Sequence, residues 1–157
     1  MVIKAKTTRL IRNLALPLFI GAIAGFLNRG GVETFTATAV KPFFMPPNWL
    51  FPVAWTILYI LMGYSAYLYD VNFSIEKRMG AIIYYAQLFF NFVWSFIFFN
   101  AGNYLFALIW IIILWALIIA NIIIFHKRNT ASGYLLLPYL FWVIFATVLN
   151  FAVFLLN

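Results

Sequence analysis

Cysteine is absent from this sequence of 157 residues, and charged residues are scarce, at 8% of the chain. The absence of cysteine excludes disulfides, thiolate metal ligands and cysteine nucleophiles. Soluble domains carry about a quarter charged residues, so a chain that is 67% hydrophobic is typical of a protein surrounded by lipid. We therefore expect an integral membrane protein in contact with the lipid bilayer.

Acidic residues and histidine are also rare, with three Asp or Glu and one His. Because His126 precedes Lys127 and Arg128, we expect it to be a solvated side chain at a helix end and not a metal ligand. The sequence shows no metal-ligand cluster, and we expect no required cofactor. The net charge of +7 comes from basic residues at the ends of apolar runs, which form no basic face for nucleic acid.

Apolar runs long enough to cross about 30 Å of hydrocarbon dominate the sequence. They predict an all-α integral membrane protein, a five-transmembrane-helix bundle that forms one domain over residues 1–157. Gly21 and Gly25 have a spacing that permits close helix packing, and Pro138 predicts a bend in the last helix. The length of the first run argues against a cleaved signal peptide. The predicted helices cover approximately residues 10–27, 48–69, 79–100, 104–125 and 132–156.

A long connection, residues 28–45, joins the first two predicted helices, and we expect it to form a lid or a re-entrant element. The remaining links are short, so helices two to five should each pack against the next along the chain. Only Arg29 and Lys41 lie on the side of the long connection. The opposite side carries Lys4, Lys6, Arg9, Arg12, Lys77, Arg78, Lys127 and Arg128. This asymmetry predicts a cytoplasmic N-terminus and a C-terminus outside.

Aromatic residues make up 22% of the chain and follow helical spacing in two of the predicted helices. Trp55, Tyr59 and Met62 share one face of the second helix. Polar groups at membrane depth face the interior of a bundle. The stripes therefore either hold helices together or line a pocket for a flat, mostly apolar ligand. The third helix carries the corresponding face Tyr84, Gln87, Asn91 and Trp94.

Three ordered motifs lie in or just before three different predicted helices. The first comprises Lys41-Pro42, Met45-Pro46-Pro47-Asn48-Trp49, Trp55, Tyr59 and Met62-Gly63-Tyr64. The second comprises Gln87-Leu88, Asn91, Trp94 and Phe98-Phe99, and the third comprises Pro138-Tyr139, Trp142, Phe145-Ala146-Thr147 and Leu149-Asn150. Together they resemble the signature of the translocator protein family, also known as tryptophan-rich sensory proteins or peripheral-type benzodiazepine receptors.

The resemblance implies a five-helix bundle, commonly a homodimer, with a pocket that opens toward the first connection. Such pockets bind porphyrins, sterols or other hydrophobic small molecules. The resemblance assigns ligand contacts to Trp55, Asn91 and Trp142, and we expect Tyr59, Trp94 and Ala146 to complete the ligand-binding set. The expected lid or loop residues of the site are Arg29, Lys41, Pro46, Pro47 and Trp49.

The expected function is that of a receptor or carrier in a microbial cell membrane, with protoporphyrin as ligand and a role in regulation or stress response. The alternative is an enzyme-like breakdown of bound protoporphyrin in light, in which Trp55 and Trp142 support the porphyrin's own photochemistry. A third reading is that the aromatic stripes serve only packing.

Two departures from the family pattern bear on the ligand. Phe44 replaces a tryptophan, and Met45 stands where a basic residue or His is common, so contacts to a porphyrin carboxylate should be weaker. The C-terminal sterol motif also fails, because Phe151 replaces its tyrosine and Leu155 its basic residue. The missing sterol motif favours a tetrapyrrole over a sterol.

Overall fold

The computed structural model describes residues 2–69 and 78–157. Lys77, one of the basic residues that predict the orientation in the membrane, lies outside these ranges. Secondary structure in the described residues is helical throughout, without a β-strand. The helices are α1 (Val2–Leu27), α2 (Arg29–Thr38), α3 (Leu50–Tyr69), α4 (Arg78–Ser95) with a π-helical turn (Phe96–Asn100), α5 (Tyr104–Arg128), α6 (Thr130–Tyr134) and α7 (Leu137–Leu156).

In the described parts of the chain, five helical segments of 20 to 27 residues are long and apolar enough to cross a membrane, which confirms the predicted number of spans. The protein is therefore an integral membrane protein built as a five-helix bundle. The first helix begins at Val2 and not near residue 10, because Lys4, Ala5, Lys6 and Arg9 are good helix formers that extend the helix beyond its apolar run. The spans are Lys6–Leu27, Leu50–Tyr69, Arg78–Asn100, Tyr104–Arg128 and Thr130–Leu156.

The sequence predicted a bend at Pro138 in the last span. The structure shows an interruption there, between the end of α6 and the start of α7. Pro138 lies in the first turn of α7, where a backbone N–H has no partner within the helix. At the start of α6, the Asn129 side chain accepts a hydrogen bond from the Ser132 N–H at 3.1 Å. This cap lets α6 fold back against the end of α5.

The fold-back changes the surroundings of His126, which was expected to be solvated. Its side chain is half-buried, and its ring centroid lies 5.1 Å from that of Tyr134. Gly133 allows this approach, because a Cβ there would lie 2.6 Å from the Cβ of His126. His126 is therefore only partly exposed to solvent, and part of its ring packs against Tyr134.

The spans are arranged in a ring in the order α1, α3, α6 with α7, α5 and α4, and α4 closes the ring against α1. Within the described residues, α3 and α4 do not pack closely, so the prediction that they are neighbours is wrong. Their facing side chains meet inside the bundle instead, where the Tyr59 hydroxyl donates a hydrogen bond to Asn91 Oδ1. A short link fixes only the ends of two helices, and the bulky aromatic rings between them keep their axes apart.

Close packing of α1 and α3 depends on Gly63. A Cβ at Gly63 would lie 2.6 Å from the Asn13 carbonyl oxygen and 2.8 Å from Leu14 Cα. Gly21 and Gly25, whose spacing predicted close helix packing, behave differently. Gly21 faces the Tyr59 ring, and Gly25 has open space beside it. The small residue that brings the two backbones together is therefore Gly63.

The long connection contains α2, a helix that the sequence did not reveal. Its buried residue Phe35 lies 5.3 Å from Phe98 and 5.5 Å from Phe99 between ring centroids. Gly31 adjoins the Asn100 side chain and the Phe99 backbone, so α2 lies directly on the π-helical turn. The connection thus covers one end of the bundle.

We predict that Gly63→Ala lowers the free energy of unfolding by about 1–3 kcal/mol, because the new methyl group meets backbone atoms that cannot move aside. Gly25→Ala is the matched control, since its methyl group enters open space. Thermal unfolding in detergent, followed by circular dichroism, measures both variants. Equal stability of the two variants would contradict the proposed crossing at Gly63.

Candidate ligand-binding site

A cavity of about 600 Å³ lies at the end of the bundle that α2 covers. Its volume falls within the range of roughly 300–1,000 Å³ that is typical of small-molecule sites. α1, α2, α3, α4 with its π-helical turn, and α7 all contribute to the wall. The wall residues include Gly25, Asn28, Phe35, Thr36, Met45, Asn48, Phe51, Ser95, Phe98, Phe99 and Asn150.

The structure brings the six predicted pocket residues together on this wall. Their role in binding stays a prediction. The five predicted loop residues are not on the wall, and Trp49 is 65% exposed. Met45 and Asn48, which flank the proline pair, line the cavity in their place. The six predicted pocket residues on the wall are Trp55, Tyr59, Asn91, Trp94, Trp142 and Ala146.

Asn91 holds the floor of the cavity together. Its Oδ1 accepts a hydrogen bond from the Tyr59 hydroxyl at 3.2 Å, and its Nδ2 donates one to the Tyr139 hydroxyl at 2.9 Å. These bonds join α3, α4 and α7 in a region where hydrocarbon offers no alternative partner. The Asn91 amide keeps one hydrogen and one lone pair for a further contact.

Trp55 provides the flat aromatic surface above this floor. Its ring stacks on Tyr59 with centroids 5.5 Å apart, and it meets Tyr139 edge-on at 6.2 Å. Within the described residues the Trp55 indole N–H makes no hydrogen bond, so a donor is free for a ligand acceptor. Trp142 is held edge-on against Phe51 at 6.0 Å.

Trp94 is bound more firmly into the fold than Trp55. Its indole N–H donates to Asn150 Oδ1 at 3.2 Å, and Asn150 Nδ2 donates to the Tyr104 carbonyl oxygen at 2.8 Å. The Trp94 ring also stacks on Phe98 at 5.2 Å. Trp94 therefore offers a ligand its aromatic surface and not its N–H.

Asn28 joins three segments at the rim of the cavity and was missed by the sequence analysis. Its Nδ2 donates to Ser95 Oγ, and its Oδ1 accepts from Asn100 Nδ2, each at 2.8 Å. These bonds fix the π-helical turn, from which the consecutive residues Phe98 and Phe99 both reach the wall. Because the contacts span about 70 positions of sequence, no local pattern could have indicated them.

The described residues on the cavity wall include no charged side chain. Lys41 lies near the rim, where its Nζ donates to the Thr36 carbonyl oxygen at 2.7 Å, and the Thr36 residue itself lines the cavity. Arg29 and Glu33 form an exposed ion pair at 3.3 Å outside the wall. The site can therefore stack flat rings and bond neutral polar groups in its interior, with a cation at its edge.

Comparison with known proteins agrees with the resemblance seen in the motifs. The sequence profile of the TspO/MBR family matches residues 13–156. The tryptophan-rich protein TspO of Archaeoglobus fulgidus is 42% identical over 150 residues, which cover 95% of this chain and 97% of the relative. The tryptophan-rich sensory protein of Cereibacter sphaeroides is 38% identical over 74% of this chain and 73% of its own length. The human translocator protein is 31% identical over 88% and 82%.

We predict that Asn91→Leu destabilises the protein by about 1–3 kcal/mol for each of the two tyrosine hydroxyls that lose their partner. Adding Tyr59→Phe to that variant should restore part of the loss, because one stranded hydroxyl is removed. Unfolding midpoints of Asn91→Leu, Tyr59→Phe and the double variant test this coupling. Simple additivity of the two changes would argue against the Tyr59–Asn91 bond.

Proposed function

Because the chain belongs to the TspO/MBR family, we propose that it is a membrane receptor or carrier for protoporphyrin or a related flat, hydrophobic ligand. The observation that carries this proposal is the presence of Trp55 and Trp142 on the wall of one neutral, largely apolar cavity. Flat aromatic ligands gain dispersion and apolar burial against such rings. The cavity volume also suits a molecule of that size class.

The two ends of the cavity would bind different parts of the ligand. At the floor, the free Trp55 N–H and the remaining Asn91 amide hydrogen suit a carbonyl or a ring nitrogen. Burial of a carboxylate there would be costly, because the wall offers no opposite charge. The porphyrin propionates therefore lie at the rim, where Lys41 is exposed beside Thr36.

The names of the relatives support a regulatory or transport role. One is called a sensory protein and others translocator proteins, and the chain covers 73% and 82% of two of them. We propose the same general role in a microbial cell membrane, with the chain acting as a homodimer. Protoporphyrin is a ligand in this proposal and not a cofactor.

A second candidate function is light- and oxygen-dependent breakdown of the bound porphyrin. The observation that favours it is that Trp55 and Trp142, the two candidate photochemical residues, lie on the same wall. The light-absorbing group would be the porphyrin itself, and the protein would supply position and oxidisable aromatic rings. Binding is the primary proposal, because breakdown requires it.

We predict that Trp55→Phe and Trp142→Phe weaken protoporphyrin binding by less than about tenfold, since each keeps an aromatic face. Trp55→Phe should weaken a carbonyl-bearing isoquinoline ligand more than protoporphyrin, because the indole N–H is lost. Asn91→Ala should also weaken that ligand, by up to roughly tenfold. Fluorescence titration in detergent measures the affinities.

Trp49→Phe is the matched control, because Trp49 is exposed and lies outside the cavity wall. Its affinities should equal those of the unchanged protein. The same samples, illuminated in air, report any porphyrin product. If all the cavity variants bind every ligand like the control, the cavity is not the site. If light produces no protein-dependent product, the second function is ruled out.

We predict that the N-terminus is cytoplasmic and the C-terminus outside. The reason is the concentration of Lys and Arg at the N-terminal side of the bundle, which the cell retains on the cytoplasmic side. Enzymatic reporters fused to either end, assayed in intact cells, measure the orientation. A cytoplasmic C-terminal reporter would overturn the assignment.

A further inference from the structure

Two buried amide side chains lie beyond the cavity floor, on the side away from α2. Gln87 on α4 and Asn121 on α5 are each 1% exposed. Within residues 2–69 and 78–157, Gln87 Oε1 and both polar side-chain atoms of Asn121 make no hydrogen bond. Neither residue lines the cavity. Three buried polar atoms thus need partners that the described side chains do not supply.

The helix packing places these two amides at a similar depth. The rings of Tyr84 on α4 and Phe125 on α5 have centroids 5.9 Å apart. Gln87 lies about one turn after Tyr84, and Asn121 lies about one turn before Phe125. A link of three residues joins the π-helical turn of α4 to α5, so the two helices run antiparallel. The step from Tyr84 to Gln87 and the step from Phe125 to Asn121 therefore both lead toward that link.

The polar groups beside Gln87 are only weakly bonded. Gln87 Nε2 donates to the Met62 sulfur at 3.8 Å, and the Tyr84 hydroxyl reaches the Met62 carbonyl oxygen at 3.5 Å. A thioether is a poor acceptor, and an oxygen separation of 3.5 Å is long for a hydroxyl donor. The α5 residues one turn to either side of Asn121 on its buried face, Ile118 and Phe125, offer no polar side chain.

Buried polar groups in native proteins have partners, and ordered water supplies them where side chains do not. The requirement is stricter inside a membrane, where bulk water is absent. We propose that Gln87 and Asn121 form a water-binding site between α4 and α5. A water molecule held there accepts a hydrogen bond from Asn121 Nδ2 and donates one to Gln87 Oε1.

This site extends the polar interior of the bundle past the ligand cavity. Gln87 lies four residues before Asn91 on the same helix face, so the water is one helical turn from the cavity floor. The proposal is independent of the ligand, because neither amide lines the cavity. Its test therefore fails or succeeds whatever the cavity binds.

The first test is a crystal structure of the unchanged protein grown in a lipid phase, at a resolution that shows ordered water. We expect density within hydrogen-bond distance of both Gln87 Oε1 and Asn121 Nδ2. A direct bond between the two amides, or an empty space between them, would overturn the proposal.

The second test is a double-mutant cycle with Gln87→Met and Asn121→Leu, which keep side-chain size. If water links the amides, each single variant lowers the unfolding midpoint and the double variant loses less than the sum. If the amides are dry and unpaired, each variant raises the midpoint and the effects add, which contradicts the site. Asn150→Leu is the control, because that amide is bonded to Trp94 and Tyr104 and its loss should lower the midpoint in either case.

Discussion

The constraint on which this structure depends is that the hydrocarbon of a membrane offers no hydrogen-bond partners. Helices satisfy their own backbone, so a polar side chain inside the bundle needs a partner within the protein or in bound water. Ser65 and Ser132 show the result, since each hydroxyl donates to the backbone carbonyl of the other residue at 2.7 Å. Asn91 and Asn150 link further helices in the same way. These few bonds fix how the apolar spans sit around one another.

The same constraint determines what the cavity can recognise. Most polar groups on its wall are already engaged, Asn28 with Ser95 and Asn100, and Trp94 with Asn150. Within the described residues, the N–H groups of Trp55 and Trp142 and the Asn48 side chain make no hydrogen bond, and part of the Asn91 amide is also available. Recognition therefore depends mainly on shape and aromatic contact, with a few directional bonds. A cavity of this kind tolerates several flat ligands and selects among them by where their polar atoms lie.

Much of the fold could be predicted from the sequence, because the length of an apolar run and the spacing of polar residues are local properties. The five spans follow from them, and the family resemblance implied the joint position of Trp55, Asn91 and Trp142 on one wall. The α2 helix could not be predicted, since Gly30 and Gly31 are typical of a loop. Gly31 is required there for a different reason, its contact with the Asn100 side chain. Such packing between distant segments leaves no periodic pattern.

The packing of α5 against α4 and α7 was predicted correctly, but the neighbours of α3 were beyond the sequence, and the reason bears on function. Had α3 packed directly on α4, the Tyr59 and Trp55 rings would have filled the gap between two touching helices. In the observed ring, α3 packs on α1, and Gly21 leaves room for the Tyr59 ring on the inner side. Tyr59 can then reach across to Asn91, and the aromatic side chains support a cavity between the helices. The space for a ligand therefore follows from the order of the helices around the ring, and the glycines of α1 and α3 maintain that order.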